Sequence, residues 1–205
     1  MEGSRGLGDV YKRQHLIRRA YYDLTGLPPS YDAVEAFNEQ SDQISTWNNL
    51  VDQLLASERY GEKLASLWLD TVRYAETNGF ERDSEKPYIW RYRDYVIKAF
   101  NDNKPYDRFV AEQLAGDELP DSDVAAKVAT GFMTLMQRDD EPADRDQAHS
   151  DMISDIVDVS GEAFLGTTMG CAKCHDHKVD PIPQADYYSL MSFFDSISLS
   201  HLQQP

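Results

Sequence analysis

Two thiols and an imidazole stand together near the C-terminal end of the 205-residue chain, in the run Cys171-Ala172-Lys173-Cys174-His175. Cys-x-x-Cys-His is the attachment pattern of c-type haem. The spacing has a geometric reason. Side chains three positions apart in a helical turn project from nearly the same side. Both sulfurs can therefore form thioether links to the two vinyl groups of one porphyrin. The histidine that follows aims its ring at the iron, and neutral imidazole is a good axial ligand. Its second ring nitrogen then needs an acceptor to fix tautomer and orientation. The backbone carbonyls of Pro181 and Pro183 are candidates, because the proline-rich loop Asp180-Pro181-Ile182-Pro183 follows directly.

Three other chemistries fit the same residues. A thioredoxin-like dithiol requires a strand before the motif, and here a helical pattern precedes it. A zinc site can draw on Cys171, Cys174, His175 and His177, but ligand pairs that crowded do not form the usual tetrahedral knuckle unless a distant His149 or His201 completes it. A structural disulfide between Cys171 and Cys174 is the third; these are the only two cysteines of the chain, which excludes a multi-disulfide scaffold. For the opposite face of a haem iron, Met191 is the candidate ligand, with Met133, Met136, Met152 and His149 as further options. Core packing is the ordinary role of each methionine.

The elements that must carry this motif are helical. Leu16, Ile17, Ala20, Tyr21 and Leu24 share a face, and Gly26 follows as a stop. Ser30 suits the cap of a second helix through Val34 and Phe37. A third helix is predicted from about Thr46, a fourth near Gly61, a fifth with Pro87 in its first turn, and a sixth after Pro105. Asp121 or Ser122 suits the cap of the segment carrying Val124, Val128, Phe132 and Leu135. After the polar loop 138–147, a long helix carries Met152, Ile153, Ile156, Val157, Ser160, Ala163 and Phe164 at a 3.6-residue period. The last helix runs from Gln184 to about Phe194. Sustained alternation of period two is missing. The expected fold is all-α, an irregular multi-helix domain with a proline-rich loop after the motif.

Residues 1–14 (MEGSRGLGDVYKRQ) read as a library- or adaptor-derived tail, residues 15–197 as the helical cytochrome-like domain, and 198–205 as a truncated linker. The whole reads as a fragment of a longer protein. No signal peptide is visible in it, and no apolar stretch is long enough to cross a bilayer. The net charge of −16 repels phosphate backbones, so nucleic acid is not an expected partner. The charge is uneven: Glu112 to Asp158 holds 13 acidic and 3 basic residues. Solvated helix faces account for most such runs, and a docking surface for a basic redox partner is the functional alternative.

Several segments resemble the planctomycete-specific cytochrome family, a domain of unknown function. They are Ile17–Pro29 (IRRAYYDLTGLPP), Tyr60–Arg82 (ending RYAETNGFER), Trp90–Phe100 (WRYRDYVIKAF), Lys104–Pro120 (KPYDRFVAEQLAGDELP) and Phe164–Leu190 (FLGTTMGCAKCHDHKVDPIPQADYYSL). The resemblance implies an exported, periplasmic bacterial protein. It also implies a domain lying between an N-terminal cytochrome c domain and a C-terminal PSD-type domain, often encoded near sulfatases and polysaccharide-degrading enzymes. Carried over by position, Cys171, Cys174 and His175 are the haem-attachment residues. The implied function is a haem c electron-transfer module, with an adjacent cytochrome domain or a separate redox protein as partner. Zinc is the alternative metal, and a non-redox binding domain or part of a carbohydrate-active enzyme is the alternative function. No enzymatic reaction is assigned. For the enzyme reading, Asp70 and Glu76 form the candidate carboxylate pair. For the haem reading, Arg91 and Arg93 are candidate partners of the propionates. An ordinary salt-bridge network is the structural alternative for all four.

Overall fold

The computed structural model describes residues 7–197. Nine α-helices carry the described residues: α1 (Leu7–Thr25), α2 (Tyr31–Glu39), α3 (Gln43–Leu55), α4 (Glu58–Thr71), α5 (Trp90–Asn101), α6 (Tyr106–Ala115), α7 (Val124–Ala129), α8 (Arg145–Ser160) and α9 (Gln184–Ser192). Short 3-10 helices cover Thr130–Thr134 and Gly170–Lys173, and a π-helical turn covers Gly161–Leu165. No strand is present among the described residues; a single antiparallel bridge joins Thr77 and Glu85. The all-α expectation holds. Helix α1 begins at Leu7, inside the segment expected to be a tail; residues 1–6 and the expected linker 198–205, with His201, lie outside the described residues.

The chain divides into two compact units. Among the described residues, one comprises 7–67 and 96–104, the other 68–95 and 105–197. In the first, α1 packs against α2 and α3 around Ile17, Ala20, Phe37, Leu50 and Leu54. Arg13 reaches this core: its guanidinium lies over the Phe37 ring and donates to the Phe37 carbonyl. The start of α2 follows the sequence, with the Ser30 hydroxyl accepting from the Ala33 amide. Helix α3 starts earlier than expected because Asp42 caps it, accepting from the Ser45 amide at 3.2 Å. Gly61 is buried against Asn101, whose Oδ1 accepts the Gly61 amide at 2.9 Å, and a Cβ there would meet that amide group at about 2.5 Å.

The second unit holds the motif. Its centre is aromatic. Trp68 meets Phe109 edge-on (5.0 Å between centroids) and Phe164 at 5.6 Å; Phe132 also meets Phe164 (5.1 Å), and Phe109 stacks on Tyr95 (6.0 Å). Such pairs add about 0.5–1.5 kcal/mol each beyond the area they bury. A polar chain runs through this core. The Trp68 indole donates to the Tyr92 hydroxyl (3.0 Å), which donates to Gln113 Oε1 (2.5 Å), whose amide donates to the Phe109 carbonyl (3.1 Å). Beside it, the Glu112 carboxylate is buried and answered from two sides, by the Tyr95 hydroxyl (2.8 Å) and Arg108 Nε (2.7 Å). Burying a carboxylate is costly unless it is paired and hydrogen-bonded, and both conditions are met here.

Candidate functional site

Helix α8 is the platform. Asp144 caps it, accepting from the amides of Asp146 and Gln147, and it carries the most continuous buried face of the unit: Met152, Ile153, Ile156, Val157 and Val159. The helix then widens into the π-helical turn Gly161–Leu165, which admits one more residue per turn than α geometry. Phe164 lies on this turn and meets Trp68 and Phe132 in the aromatic core. Gly166 ends the turn in the left-handed region (φ 64°), and the chain doubles back. The Thr167 amide donates to the Gly161 carbonyl at 3.1 Å. Met169 folds over Gly161 so closely that a Cβ at Gly161 would stand 2.5 Å from its sulfur and 2.9 Å from the Thr167 carbonyl oxygen.

This return seats the motif. Residues Gly170–Lys173 form a 3-10 turn, with the Ala172 amide bonded to the Met169 carbonyl (2.9 Å). Met169 and Ala172 are buried and act as the anchors, while Cys171 and Cys174 are both exposed and free. Helix α9 fixes the other side: Gln184 Nε2 (3.1 Å) and the Tyr188 hydroxyl (3.0 Å) both donate to the Lys173 carbonyl. Tyr187, fully buried, donates from its hydroxyl to Asp158 Oδ1 on α8 at 3.2 Å. Burial, with the Asp158 charge adding to it, pushes the Tyr187 phenol up to about 12. Burial also raises the Asp158 carboxyl above its ordinary value. The same carboxylate borders the motif turn, since a Cβ on Gly170 would lie 3.1 Å from Asp158 Oδ2.

His175 is exposed, and its Nδ1 lies 2.7 Å from the Asp176 carbonyl oxygen. A carbonyl only accepts, so Nδ1 carries the proton and the Nε2 lone pair of the neutral ring is free to bind a metal. The acceptor is thus the adjacent carbonyl and not that of Pro181 or Pro183. The loop beyond is organised around His177. Its Nδ1 accepts the amide of Asp180 (2.8 Å) and, more weakly, that of Val179 (3.4 Å), while its own amide donates to the Ile182 carbonyl (2.9 Å). Asp176 Oδ1 then accepts the Gln184 amide at the start of α9 (2.8 Å). His177 is a loop brace whose Nδ1 lone pair is already used.

The remaining sequence candidates divide sharply. Met133, Met136 and Met152 are buried core residues, as the ordinary role of methionine suggests. His149 is exposed on α8, and Met191 is half-buried on α9, the helix that packs against the motif turn. Arg91 lies over the rings of Tyr88 (5.1 Å) and Trp90 (5.6 Å), and Arg93 pairs with Asp94 (3.0 Å) and Glu76 (3.2 Å). Glu76 also accepts from the Tyr74 hydroxyl at 3.1 Å, and burial together with that carboxylate pushes the Tyr74 phenol up to about 12. Asp70 is exposed and makes no ion pair among the described residues. The salt-bridge alternative therefore describes Glu76 and Arg93. Among the described residues, no three His, Cys, Asp or Glu side chains gather as a metal site; His201, on which the zinc alternative could draw, lies outside them. No described helix is long and apolar enough to cross a membrane.

The family model for PSCyt2, protein of unknown function (DUF1549), matches residues 7–199. The chain belongs to the PSCyt2 family. No curated protein and no solved structure matches the chain. The PSCyt2 match takes in both units and every residue of the motif. Sequence periodicity missed three of the features that position the motif: the π-helical turn, the Asp158–Tyr187 contact and the His177 brace. Gly161 and Gly166, standing five apart at the end of an apolar stripe, were the available signal for the first.

Proposed function

We propose that this PSCyt2 chain is a c-type haem-binding electron-transfer module. Cys171 and Cys174 would carry the thioether links, and His175 would be the axial ligand through Nε2. The observation that supports this reading is the combination on one short turn: two free, exposed thiols and, next to them, an imidazole whose Nδ1 proton is held by a backbone carbonyl. That tautomer is the one an iron ligand requires. When bound, haem c supplies a reversible one-electron couple on its iron. The chain's own residues hold the attachment turn. Met169 and Ala172 anchor it from beneath, Tyr188 and Gln184 fix the Lys173 carbonyl, and the π-helical turn sets its direction.

Met191 is the candidate for the second axial position, because α9 packs against the motif turn and the other methionines named above are committed to the core. Export to the periplasm, and placement between a cytochrome c domain and a PSD-type domain, belong to the same proposal and rest on the resemblance of the segments quoted above. An adjacent cytochrome domain or a separate redox protein is the proposed electron partner.

The test uses the full chain expressed with the c-type maturation machinery, beside a Cys171→Ala/Cys174→Ala variant. Haem staining on a denaturing gel should mark the wild type and not the variant. Unstained wild type from cells that load a control cytochrome refutes the proposal. Thiol counting on that same sample then tests the second reading, a Cys171–Cys174 disulfide, favoured by the two thiols sharing one exposed turn.

A further inference from the structure

We propose that Lys86 and Arg138 form a binding site for a small oxyanion, a carboxylate or a phosphoryl group, separate from the cysteine motif. The argument begins with the pairing of charge. In an acidic chain, cations find carboxylates easily, and within this unit Arg73, Arg82, Arg93, Arg108 and Lys173 each have one within ion-pair distance. Lys127, Arg145 and Lys178 form no ion pair among the described residues but are exposed, where water screens them, and Arg91 is exposed over aromatic rings. Lys86 and Arg138 differ: both are half-buried, and neither forms an ion pair among the described residues. The Lys86 ammonium sits on the Met136 carbonyl, two residues before Arg138.

The frame around them is fixed. Residues 76–86 form a hairpin-like loop, closed by the Asn78 amide to the Ser84 carbonyl (2.9 Å) and the Lys86 amide to the Glu76 carbonyl (2.8 Å). Hydrogen bonds tie this loop to residues 136–140, one of them from the Gln137 side-chain amide to the Gly79 carbonyl. The Arg138 amide donates to the Asn78 carbonyl (3.0 Å), Lys86 Nζ donates to the Met136 carbonyl (2.9 Å), and Asp140 accepts from Asn78 Nδ2 (2.8 Å) and Ser84 Oγ (2.7 Å). Lys86 keeps two further N–H donors and Arg138 its whole guanidinium fork, which matches the two oxygens of a carboxylate or phosphoryl group.

The other charges facing the pair do not satisfy it. Asp155 attracts Lys86, but both its oxygens are taken by Arg73 in a two-pronged pair, and Arg73 itself adds positive charge. Asp140 attracts Arg138 without a hydrogen bond to it, its oxygens accepting instead from Asn78 and Ser84. Asp139, next in the chain, accepts the Glu141 amide through Oδ1. Burial, reinforced by Arg138 and Arg73, holds the Lys86 ammonium below its ordinary value. Two partly desolvated like charges on a fixed frame are an unfavourable arrangement that a bound anion offsets.

The test is thermal unfolding of the full chain in chloride, acetate and inorganic phosphate at matched ionic strength, for wild type, Arg138→Gln and Lys86→Met. With an oxyanion at about 100 times its dissociation constant, the wild-type Tm should exceed its chloride value by about 5–10 °C. Arg138→Gln sacrifices no side-chain hydrogen bond and should remove the excess, as should Lys86→Met. Any general salting effect of phosphate stays in the variants, so the wild-type-minus-variant difference is the readout. An excess in acetate alone identifies a carboxylate ligand, and in phosphate alone a phosphoryl ligand; either supports the site. Equal Tm in the three anions, or an excess that survives in both variants, overturns it.

Discussion

Replacing Gly161 with alanine should strike the fold where it aims the motif. The added Cβ would stand 2.5 Å from Met169 Sδ, 2.6 Å from Met169 Cγ and 2.9 Å from the Thr167 carbonyl oxygen. All three are closer than carbon tolerates. The first two belong to a flexible but buried side chain; the third is backbone that closes the turn through the Thr167 amide and Gly161 carbonyl. Overpacking of this kind costs roughly 1–3 kcal/mol. For a domain of this size that corresponds to a Tm lower by about 2–12 °C. Urea unfolding, followed by tryptophan fluorescence, measures the loss as a shift in midpoint. A double-mutant cycle with Met169→Ala assigns its cause. Met169→Ala alone should cost about 2–5 kcal/mol, since the side chain is buried. The double variant should lose less than the sum of the two single losses, by about 0.5–3 kcal/mol, because Met169→Ala removes two of the three clashing atoms. The Thr167 carbonyl keeps the relief incomplete. A neutral Gly161→Ala, or strict additivity in the cycle, would show that Met169 does not press on this glycine and that the turn is seated some other way.

Asp158→Asn should raise stability at pH 7, since the amide oxygen of the new side chain still accepts from Tyr187 and the cost of a half-buried charge disappears. The folded carboxyl is raised, so ionising it weakens the fold only as pH climbs from its unfolded to its folded value; the variant's advantage should shrink on acidification through the carboxylate range, and a less stable variant at pH 7 contradicts the assignment. Tyr92→Phe strips the buried Gln113 Oε1 of its donor and the Trp68 indole of its acceptor, a loss of about 2–4 kcal/mol in chemical denaturation; a change under about 1 kcal/mol would mean the chain through Tyr92 is not what satisfies them. Both cysteines of the haem-free chain should react with a thiol reagent under native conditions as fast as in denaturant, and protection of either would contradict the exposed motif turn.

Much of the helical plan was legible because it depends on local chemistry. Gly26, with φ 72°, closes α1 as its position after the apolar stripe suggests, and Ser30 caps α2. Boundaries slipped where several capping residues compete. Asp123, not Asp121 or Ser122, caps α7, because its side chain is the one that accepts the Ala126 amide. Pro87 precedes α5 instead of opening it. The chain there passes through successive tight turns, with the Ile89 amide on the Lys86 carbonyl and the Arg91 amide on the Tyr88 carbonyl, before the helix begins at Trp90.

The motif residues were legible as types at a spacing. Their surroundings were not, because tertiary contacts set them. A single π-helical turn leaves the apolar stripe of α8 looking continuous, so Phe164 reads as one more helical residue. The sequence points to the proline loop for the His175 acceptor, whereas the carbonyl of the next residue, Asp176, supplies it. Glu76 and Arg93 read as separate candidates for separate tasks, and they bind each other. Lys86 and Arg138 lie far apart in sequence and become neighbours only through the loop that Asn78 and Asp140 tie together.

The central claim is that one porphyrin is held by both sulfurs of the motif. The alkaline pyridine haemochrome spectrum of the purified, matured chain reads this directly, since its α-band position distinguishes two thioether links from one and from none. The account predicts the two-link spectrum for the wild type, moving to the one-link position in Cys171→Ala and in Cys174→Ala. A pigment that extracts into acidified organic solvent, or a band unmoved by either substitution, would contradict it.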